Sequence, residues 1–279
     1  MKDGQGVEHE CKAKGTFRNE GITPIPGDFV EFEPAGEQSY GLIQQVLARK
    51  NQLVRPAVAN VDCAIIVIAP TPKPDLLLVD KLILYATQQG IAPILVLNKM
   101  DLDKKHTLQA LEEEYQKALP VYQVCAKDGS GIPALLVALQ GKVVCFAGQS
   151  AVGKSSLING IAPELGLETG GLSKKTQRGR HTTRHAQLYE AKEAGVTLVD
   201  TPGFSILATL DCEPEDLASY YEDFAPYLGK CRFATCMHNK EPDCAVKQGV
   251  EEGNISPGRY ARYLELLQEL IEKRSKRYD

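Results

Sequence analysis

Two short segments of this chain carry residue types suited to holding phosphates and reading a base. Gly148-Gln149-Ser150-Ala151-Val152-Gly153-Lys154-Ser155 fits G-x-x-x-x-G-K-[ST]. Glycines in such a loop let backbone N–H groups turn inward around phosphate oxygens, the lysine brings a point charge to the β/γ oxygens, and the serine hydroxyl suits Mg²⁺. Ser156 follows in the same first helical turn and is placed with them. Asn98-Lys99-Met100-Asp101 fits N-K-x-D. The aspartate carboxylate can accept from the N1–H and the exocyclic amine of guanine, a pattern adenine does not present. Lys99 can lie along the ring and Asn98 can tie the two loops together. Cys125-Ala126-Lys127 is placed to meet the base carbonyl through backbone N–H groups. Asp200-Thr201-Pro202-Gly203 fits D-x-x-G: Asp200 can support Mg²⁺ through water, and the Gly203 N–H can meet a γ-phosphate.

The order of these motifs is unusual. A GTPase ordinarily reads phosphate loop, D-x-x-G, then N-K-x-D; here the base-reading motif comes first. Between the phosphate loop and Asp200 runs a Gly-rich, basic segment, 170–185, with the texture of a switch ordered by its ligand. Either Thr182 or Thr183 can complete the Mg²⁺ shell with Ser155. Many GTPases orient the attacking water with a glutamine just after D-x-x-G. This chain has Phe204, which can neither donate nor accept, so turnover by the protein alone is expected to be slow. A partner, or a residue from elsewhere, would have to place the water; His181 and His185 are candidates by proximity only, each fitting an ordinary switch or strand residue equally well, and the catalytic group stays open.

Four residues form a second constellation, Cys231, Cys236, His238 and Cys244, spaced C-x4-C-x-H-x5-C. Three thiolates and an imidazole close a tetrahedral Zn²⁺ shell with no position left for chemistry, the composition of a structural site. The segment is too short to bury much apolar surface, so metal would supply much of its folding free energy. Of the eight cysteines, Cys63, Cys125 and Cys145 sit in apolar runs and read as core; Cys11 and Cys212 have no evident partner.

The elements around these motifs are legible in outline. Cys63 to Ala69 is continuously apolar, as a strand buried on both faces is. Helices over 77–88, 107–118, 132–139 and 154–161 alternate with strands over 94–97, 121–125 and 143–147. Two further strands, over 186–190 and 196–199, complete what this alternation predicts to be a parallel sheet covered by helices. Each motif then falls at the carboxyl end of a strand, where open α/β sheets bind ligands. Before residue 58, short strand-like runs over 7–14, 28–33 and 40–48 are separated by Pro/Gly turns, the pattern of a small barrel. After Asp211 come a short acidic helix over 213–220, the Cys/His segment, and a final helix with Tyr260, Tyr263, Leu264, Leu267, Leu270 and Ile271 on one face. Net charge is −4 with 43% hydrophobic residues, so nucleic-acid contact has to come from a local patch rather than a whole-chain field. No apolar stretch reaches the length of a membrane span, and the polar start of the chain lacks the apolar core of a signal peptide. The expected location is the cytoplasm.

Taken together, N-K-M-D, G-Q-S-A-V-G-K-S, R-G-R-H-T-T-R-H, D-T-P-G-F and C-x4-C-x-H-x5-C resemble the ribosome small subunit-dependent GTPase A (RsgA) family. The match runs from about Gly15 to the C-terminus. The resemblance implies an α/β chain of three units: an N-terminal OB-fold β-barrel (1–58), a circularly permuted P-loop GTPase domain (59–210), and a C-terminal zinc-binding helical domain (211–279). It implies GTP and GDP as ligands, one structural Zn²⁺, Mg²⁺ with GTP, and the small ribosomal subunit with its rRNA as partner. Hydrolysis stimulated by that subunit would accompany release late in its maturation. A hydrophobic residue replacing the catalytic glutamine is a family trait that Phe204 matches. The stretch before Gly15 is short for the family, so the barrel is expected to be incomplete. No His lies between Phe204 and Met237, so no catalytic base carries over. A monomer is expected. Two other readings fit parts of the pattern: a GTP-dependent metabolic enzyme or metallochaperone with zinc as cargo, and an RNA-binding module whose nucleotide site only regulates.

Overall fold

The structure is a computed structural model that describes residues 1–19, 21–36, 40–54, 56–167, 187–200 and 211–276. Thr182, Thr183, Gly203, Phe204, His181 and His185 lie outside the described residues, as does the side chain of Asp200.

A six-stranded sheet forms the centre. Its strands are β6 (Cys63–Ile68), β7 (Ala92–Leu97), β8 (Val121–Gln123), β9 (Val143–Ala147), β10 (Gln187–Ala191) and β11 (Val196–Asp200), in the spatial order β10-β11-β9-β6-β7-β8. Every residue of β6 is buried. Ala64, Ile66 and Ile68 join one core, and Cys63, Ile65 and Val67 join the other. This is the period-two geometry of a strand covered on both faces. The first core is roofed by α1 (Leu76–Gln88) and α2 (Thr107–Tyr115). The second is roofed by α3 (Ile132–Leu139) and α4 (Lys154–Ile161). All neighbouring strands run parallel except β10 and β11. The expected wholly parallel sheet is therefore corrected at one edge: only four residues, Lys192 to Gly195, join β10 to β11, far too few for a parallel crossover.

Ahead of the sheet, β1 (Cys11–Ala13), β2 (Val30–Glu33) and β3 (Gly41–Val46) form a three-stranded sheet in the order β1-β3-β2. A hairpin follows, β4 (Gln52–Val54) with β5 (Ala57–Ala59). Its Leu53 and Val58 are buried within the core under α1. The joint is further fixed by Asn51, whose Nδ2 donates to Val61 O (2.8 Å) and whose Oδ1 accepts from Val61 N (2.9 Å).

The C-terminal part holds two 3-10 segments (Pro214–Tyr220 and Glu222–Tyr227), then α5 (Ala245–Glu251) and α6 (Pro257–Ser275). Ser256 caps α6 by accepting from the Gly258 and Arg259 N–H groups, satisfying two donors that a helix start leaves orphaned. Tyr221, Phe224 and Tyr263 pack ring against ring with centroids 4.7–5.3 Å apart. This core includes Leu84 of α1, so the C-terminal part is seated on the central domain. Among the described residues no helix is long and apolar enough to cross a membrane.

Candidate functional site: a nucleotide cavity and a Cys/His cluster

β6, β7, β8 and β9 deliver their carboxyl ends to one side of the sheet. The chain order reverses between β6 and β9, so a switch point falls there. The phosphate-loop sequence spans the gap from β9 to α4. Gly148 has φ +124°, and a β-carbon on it would lie 2.2 Å from Val67 O of β6. Gly153 has φ +97°, and a β-carbon there would lie 2.4 Å from Asn98 Nδ2. Both positions need glycine. Ala151 is also left-handed, at φ +64°, a conformation costing a non-glycine residue about 1–2 kcal/mol. Lys154 Nζ donates to Gly148 O (2.7 Å) and Gln149 O (2.6 Å), which leaves one of its three protons. Burial pulls this ammonium below the usual lysine range.

Asn98 is the tie between loops. It is 1% exposed. Its Nδ2 donates to Val152 O (2.9 Å) and its Oδ1 accepts from Ala126 N (3.1 Å). One carboxamide thus joins the ends of three strands. Lys99, at φ +60°, donates to Ala151 O (2.6 Å) and Thr71 O (3.1 Å). The Asp101 carboxylate accepts from the Cys125 thiol (3.5 Å) and has Lys127 Nζ at 3.8 Å. Gln149 Oε1 accepts from Asp75 N at the start of α1 (3.0 Å).

A cavity of about 550 Å³ opens here, within the range of small-molecule sites. Of the residues picked out by sequence, Asn98, Lys99, Asp101, Ala126, Lys127, Gly153 and Ser156 line it. Val152 O and Ala151 O accept from Asn98 and Lys99 of its wall, while Lys154 closes on Gly148 O and Gln149 O behind it. Ser155 sits beside Ser156 in the first turn of α4, and Met100 begins the 3-10 turn that follows Lys99. Asp200 ends β11, paired with Gln187. Leu102, Asn159 and Gly160 also line the cavity and have no motif to announce them. Cys125, read as a core residue, is buried yet lines the cavity too.

The second constellation converges fully. The ligand atoms of Cys231, Cys236, His238 and Cys244 all lie within 4.8 Å of one another. His238 Nδ1 is 3.5 Å from Cys231 Sγ and 3.4 Å from Cys244 Sγ, and those two sulfurs are 3.9 Å apart. A tetrahedral shell with metal–sulfur bonds of about 2.3 Å and a metal–nitrogen bond of about 2.0 Å has S···S edges near ~3.8 Å and S···N edges near ~3.5 Å. The donors fit such a shell, and the cluster can hold a metal ion. Outer contacts fix the loop: Tyr260 and Tyr263 hydroxyls donate to His238 O (2.8 Å) and Met237 O (2.7 Å). Glu241 accepts from the Met237 and Asn239 N–H groups.

A glycine-rich loop entering a helix at the switch point, with base-reading loops supplied by earlier strands, defines a circularly permuted P-loop GTPase fold. The chain belongs to the RsgA GTPase family. The RsgA GTPase family model matches residues 46–210, and the RsgA N-terminal domain model matches residues 3–43. The chain is 44% identical over 271 residues to the small ribosomal subunit biogenesis GTPase RsgA of Caldanaerobacter subterraneus, covering 96% of this chain and 91% of the relative. The protein of that name from Bacillus subtilis is 40% identical over 275 residues, covering 96% and 91%. The crystal structure of YjeQ from Thermotoga maritima superposes with a TM-score of 0.84 at 38% identity, over 96% of this chain and 92% of that one. The structure of YloQ, a circularly permuted GTPase, gives 0.78 at 35% identity, over 94% and 86%.

Proposed function

We propose that this chain binds and hydrolyses GTP as a factor in small ribosomal subunit biogenesis, docking on the subunit's rRNA and leaving on hydrolysis. The observation that carries the nucleotide reading is Asn98, a buried carboxamide that joins the phosphate loop to both base-reading loops around one cavity. The names of the relatives support the ribosomal assignment.

In this reading Asp101 selects guanine by accepting from its N1–H and amine. The Cys125 thiol and Lys127 hold the carboxylate in place, and Lys99 flanks the ring. The amides of Gly148 to Gly153 and the remaining proton of Lys154 meet the phosphates, with Ser155 and Ser156 beyond them. Mg²⁺, when bound, would supply positive charge to the phosphates; Ser155 and one of Thr182 or Thr183 would hold it, Asp200 would support it, and the Gly203 N–H would meet the γ-phosphate. Cys231, Cys236, His238 and Cys244 would hold a structural zinc. We assign 1–58, 59–210 and 211–279 to three units, a monomeric arrangement and a cytoplasmic setting.

Phe204 cannot place the attacking water, so turnover alone should be slow and rise by at least about tenfold with small subunits, as in GTPases that need a partner to complete the site. Steady-state GTPase rates with small and large subunits added separately decide this. Equal rates with both, or with neither, would sink the ribosomal reading.

The metal prediction separates a structural zinc from a cargo. Stripping the metal with a strong chelator should open the 230–244 loop to protease while α6, buried in its own core, stays protected. Structural zinc contributes about 10 kcal/mol or more to the folding of such loops. A chain that releases one zinc per molecule with no change in cleavage would instead be carrying it.

A further inference from the structure

Between the two glycines Gly148 and Gly153 the phosphate loop carries one hydroxyl, that of Ser150. Its neighbours are accounted for. Gln149 turns its carboxamide to the start of α1, where Oε1 accepts from Asp75 N. Ala151 and Val152 have apolar side chains, and their carbonyls accept from Lys99 and Asn98. Ser150 is exposed, and its hydroxyl has no hydrogen-bond partner among the described residues. Lys154 shows which end of a nucleotide comes here. Its ammonium is 2.6 Å from Gln149 O, the carbonyl of the peptide that links Gln149 to Ser150. A phosphate-loop lysine meets the β- and γ-phosphates. Ser150 is therefore one peptide away from the cation that would hold the terminal phosphate. The base-reading Asp101, Cys125 and Lys127 line the cavity, whereas Ser150 is outside that lining and open to water.

We propose that Ser150 is a catalytic residue: its hydroxyl accepts a hydrogen bond from the attacking water and holds it against the γ-phosphorus, a task that Phe204 cannot perform. The proposal rests on the GTPase reading of this site. A serine hydroxyl can donate to a phosphate oxygen and accept from water at once, so one side chain bridges the two reactants. The water oxygen bonds to the γ-phosphorus. The bond from that phosphorus to the oxygen bridging the β- and γ-phosphates breaks, and its electron pair stays on GDP. Both hydrogens of the water leave with the released phosphate. The serine neither gains nor loses a proton, so it orients the water without acting as a base. One hydroxyl fixes the water at a single point, which leaves turnover slow until a partner completes the site.

Single-turnover hydrolysis of GTP labelled in its γ-phosphate, by the full chain in excess with small ribosomal subunits added, tests this. Ser150→Ala should lower the saturating rate about tenfold, the equivalent of one ordinary hydrogen bond. The protein concentration at half-saturation and the affinity for GDP should stay within about twofold, because the loop amides that meet the phosphates remain. Ser150→Thr keeps the hydroxyl and should hold the rate within about threefold of wild type. A merely structural role would move binding and rate together, and threonine would not rescue it. An alanine variant that matches the wild-type rate, with the wild type hydrolysing GTP, overturns this inference alone. So does a loss of rate that threonine shares, or one that comes with an equal loss of GDP affinity. A wild-type chain that hydrolyses no GTP with subunits present overturns the GTPase reading and this inference with it.

Discussion

Arg259→Met should destabilise the chain by about 3–5 kcal/mol, the cost of breaking a buried ion pair by removing one partner. Arg259 is 1% exposed and sits between two carboxylates. Its Nε and Nη2 donate to the two oxygens of Asp223 (2.9 and 3.0 Å), and its Nη1 donates to Asp80 Oδ1 (2.8 Å). The rings of Tyr115 and Tyr221 lie 5.1 Å from the guanidinium carbon. Arg262 completes the group, donating to Asp80, to Glu114 and to the Tyr115 hydroxyl. Burial pushes the Asp80 carboxyl upward, against the pull of Arg259 and Arg262. Burial would likewise lower Arg259, but Asp80 and Asp223 hold its guanidinium more firmly protonated than usual. Methionine fills similar volume with no charge, leaving Asp223 without the guanidinium and Asp80 with one guanidinium instead of two. Urea unfolding measures the loss. Arg259→Met combined with Asp223→Asn should recover part of it, because the second change removes a stranded charge; a double variant as weak as the two singles summed would show that the pair is not coupled.

The placement of this group matters more than its strength. Asp80 is on α1, Glu114 and Tyr115 are on α2, Asp223 is in the second C-terminal 3-10 segment, and both arginines are on α6. The group therefore fastens the C-terminal part to the central domain. The first residue of that same α1 connection, Asp75, gives its N–H to Gln149 of the phosphate loop. One short helix thus touches the phosphate loop at its start and the buried ion group a turn and a half later. The Cys/His loop hangs from the same α6 through Tyr260 and Tyr263. Two helices, α1 and α6, thus link the phosphate loop to the Cys/His cluster through direct contacts.

Arg259 also shows where sequence reading stops. The stripe Tyr260, Tyr263, Leu264, Leu267, Leu270, Ile271 found the buried face of α6, and Tyr263, Leu267 and Leu270 are fully within the core. It passed over Arg259 and Leu266, both 1% exposed. A pattern that sorts residues by polarity places arginine outside, and the carboxylates that neutralise it are 36 and 179 positions away. Asn159, which lines the cavity, was missed for a milder reason: a single asparagine inside α4 has no spacing to mark it. β6 was legible because both faces are covered and every residue is apolar. The Cys/His cluster was legible because thiol and imidazole have few other uses at that spacing. The β4–β5 hairpin was not legible, since three-residue strands are too short to show alternation.

Asp101→Asn should exchange guanine for xanthine recognition. The carboxylate of Asp101 is the acceptor that the N1–H and 2-amine of guanine require. An asparagine turns one of its two oxygens into an NH₂ donor, which meets the amine donor to donor. Charge-assisted bonds to a carboxylate are worth about 1.5–3 kcal/mol each. One such bond is lost to a clash of donors and the other, to N1–H, becomes an ordinary neutral one, so GTP should weaken by roughly a hundredfold. Xanthine carries a carbonyl where guanine has the amine, so the asparagine NH₂ has an acceptor to meet, and XTP should bind the variant better than GTP does. The surroundings favour a clean exchange. Asp101 keeps company with a thiol and a solvent-facing lysine rather than with a buried cation, so its charge is not needed to hold the loop. Asn98 independently fixes that loop to Val152 and Ala126. Competition of GTP, XTP and ATP against labelled GDP or XDP reads the result. A variant that loses GTP without gaining XTP would mean that the base lies elsewhere in the cavity. One that keeps GTP at wild-type strength would mean that Asp101 does not face the base.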